Sequence, residues 1–422
     1  MKRAIVLSGG GGKGAYQIGV FKALKKLRVK YDIVTGTSVG ALNGAYMVGK
    51  DYKKALKVWK NMKFGDIYGY DILNGTEKIE QKKEIISMYA KGTLIDGGMD
   101  ITKLEELIEK TLNERKIRKS KIDYGLVTFN LSNMKSLSLS KKEIPTGKLK
   151  DYLIASATCF PFFKKKEIDK KVFIDGGFYD NLPINLAVKL GAEEVIAVDL
   201  KSVGVKQKIK NKNIKTIIIA PRNKINSFLV FDKTASNRAI NLGYNDTMKT
   251  FGKLDGDKFT FKKKHLLINY GKYGFEYRKQ IIKILEANEP NKLNQFLSIN
   301  TFRKIFKDSE QELAIIINKT IEYLGKEFYL NEEKVYNIND FNKELLKKIE
   351  EEKIDKEVEK ILKVLKVKKV LNSKAAIKYI YNLLVNLNDK KRYKTELNSL
   401  SLFLPKEFFG AFYLYIIGGS YE

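Results

Sequence analysis

The segment Gly36-Thr37-Ser38-Val39-Gly40 constrains this chain more than any other. It follows the apolar run Tyr31-Asp32-Ile33-Val34 and precedes a helical pattern starting at Ala41. That order predicts a strand, a sharp turn and a helix, with a serine at the turn. Glycines two residues before and two after a serine remove the Cβ atoms that would clash in a strained strand-to-helix turn. The hydroxyl then stands clear of the backbone at a helix N-terminus, where amides and the helix dipole favour negative charge. A nucleophilic serine is built this way. An ordinary glycine-rich turn that happens to contain a serine has the same pattern.

A nucleophilic serine needs a base. The one histidine, His265, lies in Phe261-Lys262-Lys263-Lys264-His265-Leu266, with no glycine turn or acidic partner beside it. It reads as a surface or loop histidine, so either Ser38 is inert or its base is a carboxylate. Asp175-Gly176-Gly177 directly follows a short strand pattern, Lys171-Val172-Phe173-Ile174. Glycines behind an acid at a strand end leave room for a substrate or another backbone. Beyond it, Ile184 to Val188 reads as a helix with Pro183 near its start. Asp-Gly turns are common, and a second copy, Asp96-Gly97-Gly98, stands before an amphipathic pattern from Ile101 to Ile108. That copy reads as a loop entering a helix cap, which makes Asp175 the preferred candidate.

The N-terminus adds a third feature. Ala4-Ile5-Val6-Leu7 is a continuous apolar run of the kind buried on both faces of a parallel sheet. Ser8-Gly9-Gly10-Gly11-Gly12-Lys13-Gly14 follows, then a helix from Ala15 to Leu24. Successive glycines let backbone N–H groups turn to one side as an anion-binding nest, and Lys13 adds positive charge. Beside a nucleophilic serine such a nest is an oxyanion hole. The loop also matches G-x-G-x-x-G at Gly9, Gly11 and Gly14. A dinucleotide site wants an acid at the end of the second strand. Here Asp32 precedes that strand, which ends in Thr35-Gly36-Thr37-Ser38. A phosphate-binding P-loop wants Gly-Lys-Ser/Thr, and Lys13 is followed by Gly14. A non-catalytic α/β protein that holds an anion or nucleotide on the Gly9–Gly14 loop is the alternative to an enzyme.

Taken together and in this order, the segments resemble the patatin-like phospholipase family. The resemblance rests on Gly9-Gly10-Gly11-Gly12-Lys13-Gly14, on Gly36-Thr37-Ser38-Val39-Gly40, and on Asp175-Gly176-Gly177 with Asn181 and Pro183 behind it. Ala155-Ser156-Ala157-Thr158-Cys159-Phe160-Pro161 is similar to that family's Ala-Ser-rich segment, with Thr158-Cys159 as a departure that bears on local packing. The match covers about the first half of the chain. It implies a lipid acyl hydrolase acting on phospholipid or acylglycerol through a Ser–Asp dyad, with no metal or cofactor. In that dyad Ser38 is the nucleophile and Asp175 the proton acceptor. Amides of Gly9, Gly10, Gly11, Gly12, Lys13 and Gly14 form the oxyanion loop. Gly36, Thr37, Val39 and Gly40 form the nucleophile elbow, and Gly176 and Gly177 complete the Asp-Gly-Gly motif. An aspartate has a reference pKa of ~3.9, and a useful base titrates nearer working pH. The site is therefore expected to be partly dry, since burial raises a carboxyl pKa. Phe160, Phe162, Phe163, Phe173 and Phe178 either supply that apolar setting or are plain core.

A chain of 422 residues, 44% hydrophobic, has room for two or three globular domains. A single cysteine, Cys159, excludes intrachain disulfides and fits a reducing compartment. No apolar run reaches the ~18 residues of a spanning helix. Met1-Lys2-Arg3 before Ala4–Leu7 imitates a signal peptide, but the apolar run is too short and stops in glycines. No Cys/His cluster has metal-ligand spacing. The net charge is +31, from 80 Lys+Arg against 49 Asp+Glu, spread over stretches such as Lys164-Lys165-Lys166 and Lys206 to Lys215. Such a surface attracts polyanions. Without a nucleic-acid motif, an anionic membrane surface is the expected partner, and the chain is expected to be cytoplasmic and to dock reversibly. Lysine far exceeds arginine, so a general composition bias is the alternative reading of part of this charge.

From Ala4 to about Pro221 strand patterns (4–7, 33–35, 124–130, 172–175, 195–200, 216–220) alternate with helical ones. This predicts an α/β fold, a mostly parallel central sheet flanked by helices on both faces. Ser202 to Asn213 reads as a solvated lysine-rich loop, Asp199 as structural, and Ala235 to Phe251 as a helix on the sheet. Residues 275–395 carry Ile and Leu at helical spacing, as in Glu350 to Leu371 and Ala375 to Leu387. The expected organisation is an α/β hydrolase domain over 1–255 and a mainly α-helical C-terminal region over 256–422. The aromatic run Phe408 to Ile417 reads as a buried packing segment, with insertion into a membrane interface as the alternative.

Overall fold

The computed structural model describes residues 1–68, 84, 98–286, 310–354, 372–386 and 392–419. Asp96 and Gly97 of the rival Asp-Gly-Gly copy lie outside these residues, as does most of the Glu350–Leu371 pattern. The chain forms two compact units, Met1–Thr250 and Phe251–Glu422. The sequence places this boundary a few residues later, at 255/256. Leu254–Asp255 pairs antiparallel with Thr260–Lys262, which carries it into the second unit.

The first unit is built on an eight-stranded sheet. Its strands are β1 (Arg3–Leu7), β2 (Ile33–Thr37), β3 (Asp123–Asn130), β4 (Lys135–Ser140), β5 (Lys166–Ile168), β6 (Lys171–Asp175), β7 (Glu194–Val198) and β8 (Lys215–Ile219). The order is β5-β6-β3-β2-β1-β7-β8, with β4 also paired to β3. Pairings β3-β2-β1-β7-β8 are parallel, and those involving β4, β5 and β6 are antiparallel. Ala4 to Leu7, Ile33, Val34 and Val195 to Val198 are buried, as befits strands covered on both faces. The crossover helices include α1 (Ala15–Lys26) after β1 and α2 (Val39–Val48) after β2, followed by α3 (Tyr52–Asn61). The helix Lys233–Thr250 packs along α1.

The register around β3 positions the site. Gly125, Leu126 and Val127 pair with both β2 and β4, whereas Thr128 to Asn130 pair with both β6 and β4. A strand has two edges, so β2 and β6 share the edge opposite β4. β2 ends at Thr37, opposite Val127, and β6 runs the other way to end at Asp175, opposite Thr128. The two strand ends meet at successive positions of one edge.

The second unit has a core of buried residues from Phe259 to Ile416. Helices His265–Glu286, Glu310–Glu327, Ile338–Glu351, Ser373–Val385, Arg392–Phe403 and Pro405–Ile417 form most of it. A three-stranded sheet of Leu254–Asp255, Thr260–Lys262 and Val335–Tyr336, absent from the sequence reading, brings Phe261 within 5.0 Å of the Phe341 ring, edge to face. In the aromatic run, Phe408, Phe412, Tyr413 and Ile416 are in this core, which is its packing role and not an interfacial one. His265 opens its helix, and its Nδ1 accepts the Ile338 N–H at 3.4 Å. Among the described residues no helix is long and apolar enough to cross a membrane.

Candidate active site

Ser38 caps the N-terminus of α2 with φ 56° and ψ −129°, a left-handed conformation that costs a non-glycine residue about 1–3 kcal/mol. The turn closes because the flanking glycines touch. A Cβ on Gly36 stands 2.3 Å from the Gly40 carbonyl oxygen, and one on Gly40 stands 2.3 Å from that of Leu7. The Ser38 carbonyl accepts the first helical bonds, from the Ala41 and Leu42 N–H groups. Its own N–H donates to Ser156 Oγ at 2.9 Å, and Ser156 in turn donates to the Val127 carbonyl at 2.7 Å. One hydroxyl from the helix Leu149–Ala157 thus ties the turn to β3.

Asp175 sits at the end of β6 and is 5% exposed; Ser38 is 8% exposed. The Ser38 hydroxyl lies close enough to the Asp175 carboxylate to draw its pKa down, and both residues line one cavity. The Gly177 N–H donates to Asp175 Oδ1 at 2.7 Å. Burial pushes the Asp175 pKa up to about 6, against the opposing pull of the Ser38 hydroxyl and the Gly177 N–H. The elbow and the Asp-Gly-Gly turn are further joined by hydroxyls of β2. Thr35 donates to the Pro183 carbonyl at 3.0 Å and Thr37 to that of Asp180 at 2.7 Å.

The glycine loop makes a 3-10 turn over Gly11–Gly14. Several of its amides are already used. The Gly9 N–H donates to the main-chain and side-chain oxygens of Asn181, both at 3.1 Å, that of Gly12 to the Phe228 carbonyl at 2.7 Å, and that of Lys13 to the Gly10 carbonyl at 3.1 Å. The amides of Gly10 and Gly11 have no acceptor among the described residues, and both glycines line a cavity with Ser38, Asp175 and Gly177. Lys13 Nζ reaches the Lys201 carbonyl at 3.4 Å. Burial lowers its pKa, opposed by the charge of Asp199. Behind the loop is a buried polar network. Asn43 donates to the Gly14 carbonyl at 3.0 Å and to Gln17 Oε1 at 2.8 Å. Trp59 Nε1 donates to Asn43 Oδ1 at 2.9 Å, and Gln17 donates to the Ser8 carbonyl at 2.8 Å.

The cavity has a volume of about 720 Å³. Leu42, Trp59, Leu104, Ile108, Phe163 and Phe231 supply apolar wall. Phe160, Phe162 and Phe178, named from the sequence, also line it, while Phe173 packs in the core with Ala155 and Ile168. Cys159 is in the wall too, and burial, followed by the Asp175 charge, pushes its thiol up to about 12. Sequence reasoning missed the contributions of Trp59, Leu104 and Ser202 to Val205. The last of these falls in the loop read as solvated, where Val203 and Val205 among the lysines were the available signal. No group of His, Cys, Asp and Glu suited to a metal ion occurs among the described residues.

A serine on a strained strand-to-helix turn, against a buried carboxylate in an open α/β sheet, defines a class of fold and site found in hydrolases. Within that class, residues 5–188 match the family model Patatin-like phospholipase, so this part of the chain is a patatin-like phospholipase domain. Relatives include a protein named Lysophospholipase nte1 from Aspergillus terreus, 26% identical over 208 residues. Patatin-like phospholipase domain-containing protein 6 from Homo sapiens is 28% identical over 206 residues. Each match covers 47% of this chain but 12% and 13% of the respective relative. Among solved structures the chain is similar to VipD from Legionella pneumophila, with a TM-score of 0.39 and 14% identity over 100% of this chain and 91% of that one.

Proposed function

We propose that this chain hydrolyses fatty-acyl esters of lipids, phospholipid or acylglycerol, with Ser38 as nucleophile and Asp175 as its base. The observation that carries this reading is the meeting of the two side chains at the abutting ends of β2 and β6, inside an apolar cavity. Ser38 Oγ attacks the ester carbonyl carbon while Asp175 takes the hydroxyl proton. The carbonyl oxygen becomes an oxyanion facing the amides of Gly10 and Gly11, the loop donors left without an acceptor among the described residues. The alcohol leaves with the proton from Asp175. Water then attacks the acyl-enzyme, gives its proton to Asp175, and the serine is regenerated as the fatty acid departs. A carboxylate pushed up to about 6 by burial suits this role near neutral pH. The apolar walls of the cavity suit an acyl chain, and the names of the relatives favour a lipid ester. The dyad needs no metal or cofactor.

Hydrolysis of p-nitrophenyl butyrate tests this reading. The wild type is expected to cleave the ester and Ser38→Ala to lose turnover while keeping its fold by circular dichroism. Unaltered hydrolysis by Ser38→Ala overturns the assignment.

A further inference from the structure

The mouth of the cavity carries apolar side chains that point to solvent. Val203 is 96% exposed, Phe178 and Val205 each 49%, and all three also line the cavity. Phe160, another lining residue, holds the Lys165 ammonium 4.7 Å above its ring. Ile209 is exposed further along the same segment. This segment is fixed, not loose. The Asn181 N–H donates to the Val205 carbonyl at 2.6 Å, the Val205 N–H to that of Gly177 at 2.9 Å, and Asn181 Nδ2 to that of Val203 at 3.4 Å. Gln207 donates to the Tyr179 carbonyl at 2.8 Å, and Asn185 both donates to the Lys208 carbonyl and accepts from the Lys210 N–H, each at 2.9 Å. A strap of residues 202–210 is thus laced to the Asp-Gly-Gly turn and the residues after it. Its exposed valines are held in place.

Cations flank these side chains. Lys208, Lys210 and Lys212 are exposed on the strap and its continuation, and Lys164 and Lys165 are exposed beside Phe160. Among the described residues none of these five is in a contact ion pair, and Lys164 acts on the Asp100 carboxylate only through its charge. Lys206 is different, being paired with Asp199 at 2.6 Å.

We propose that this rim is the face by which the chain docks on an anionic lipid bilayer, with Val203, Val205 and Phe178 entering the interface and the lysines contacting headgroups. The proposal rests on the reading of the cavity as a lipid-ester site. It adds which surface meets the membrane. Charge complementarity argues for this occupant: exposed lysines on the strap and beside Phe160, outside any contact ion pair among the described residues, flank an apolar centre at the cavity mouth. A lipid leaving the bilayer through such a rim enters the cavity without its acyl chains crossing water. Immobile apolar residues also lose little entropy on insertion.

The test separates docking from chemistry. Full-length Ser38→Ala protein is mixed with sedimenting vesicles of phosphatidylcholine alone, or of phosphatidylcholine and phosphatidylglycerol in equal parts. Binding is expected on the anionic vesicles, weakening as salt rises. On the Ser38→Ala background, Val203→Asp is expected to reduce partitioning roughly tenfold or more, from loss of an apolar side chain in the interface. Lys208→Gln and Lys210→Gln are expected to reduce it about fivefold each, since a basic residue near an anionic surface contributes ~1 kcal/mol. With Ser38 intact, Ile209→Asp, at the edge of the rim, is expected to weaken vesicle binding less than Val203→Asp does and to keep p-nitrophenyl butyrate hydrolysis, which shows that the fold survives. Wild-type partitioning of Val203→Asp and the lysine variants overturns the proposal. So does a dimer in sedimentation equilibrium that Val203→Asp dissociates, which assigns the rim to a second copy of the chain. Rim-dependent binding by a chain that cleaves no ester supports the docking face and refutes the catalytic reading.

Discussion

Replacing Asp175 by asparagine is expected to stabilise the fold while it abolishes turnover. The carboxyl is buried and its pKa is pushed up from 3.8 to about 6, about two units above its value in an unfolded chain. At ~1.36 kcal/mol per unit, keeping Asp175 ionised at neutral pH costs the native state about 3 kcal/mol. The sign follows from proton counts. Between about 4 and 6 the native state binds more protons at this residue than the unfolded state, so stability falls as pH rises through that window. Below it both states are protonated and the cost is absent; above it the cost is complete. Asparagine is neutral throughout, and its Oδ1 can still accept the Gly177 N–H that Asp175 accepts at 2.7 Å. The variant should therefore match the wild type near pH 4 and exceed it by about 3 kcal/mol at pH 7. Denaturant unfolding of the full chain, followed by fluorescence of Trp59, measures this difference. Trp59 is the single tryptophan, is buried, and belongs to the same compact unit as Asp175. Equal stability of the two proteins at pH 7, or a gap that widens toward acid, refutes the burial argument. Retained esterase activity in the variant refutes the assignment of the base.

The rate of p-nitrophenyl butyrate hydrolysis should fall about tenfold per pH unit below about 6, because the base must be ionised; a rate independent of pH from 5 to 8 counts against Asp175. Ser156→Ala removes the acceptor of the Ser38 N–H and should cost about 1–3 kcal/mol for the orphaned amide, with a fall in kcat greater than any change in KM. Unchanged kcat and stability remove Ser156 from the elbow's support. The Cys159 thiol, raised to about 12, should resist iodoacetamide at pH 8 until the protein is denatured; rapid alkylation of the native chain contradicts the buried wall. In Asp175→Asn the neighbouring charge is gone, so alkylation of Cys159 should quicken modestly, and no change argues against their coupling.

The parts of the site legible in the sequence are those whose local backbone demands particular residues. Gly36 and Gly40 are needed because a Cβ on Gly36 would meet the Gly40 backbone and one on Gly40 that of Leu7, and that requirement shows in the spacing around Ser38. The glycine loop and the Asp-Gly-Gly turn are legible for similar reasons. What brings Ser38 to Asp175 is not local. It is the sharing of one β3 edge by β2 and β6, a matter of register between strands more than a hundred residues apart, and no pattern within either strand encodes it. The antiparallel strands β4 and β5 are short or half-exposed, so they lack the continuous apolar run that marks β1. Of the loop amides from Gly9 to Gly14 proposed to face an oxyanion, Gly10 and Gly11 stand out by an inventory of acceptors among the described residues, Phe228 and Asn181 taking others. These partners are remote in sequence and carry no periodic signal. Lysine content likewise conceals the strap from Val203 to Ile209, since its charge reads as solvation until the hydrogen bonds to Gly177 and Asn181 place it at the cavity mouth.

Three unfavourable features converge at this site: a serine with positive φ, a buried carboxylate and two amides without acceptors among the described residues. None persists in a folded protein unless its surroundings over-determine it. Ser156 and the two flanking glycines hold the first. The Gly177 amide and the Ser38 hydroxyl partly offset the second. The third depends on the loop being unable to turn its amides elsewhere, and the Asn181, Phe228 and Asn43 contacts fix it from three directions. Each brace comes from a different stretch of chain, and each acts on the backbone or on the carboxylate rather than on the space a substrate would fill. A Gly-rich loop built merely to bind an anion needs the third feature alone. The strained serine and the destabilised carboxylate add nothing to anion affinity, and a negative charge beside the nest opposes it. Their coexistence with the free amides is what favours a reaction, in which Asp175 gains a proton as the oxyanion forms, over simple binding.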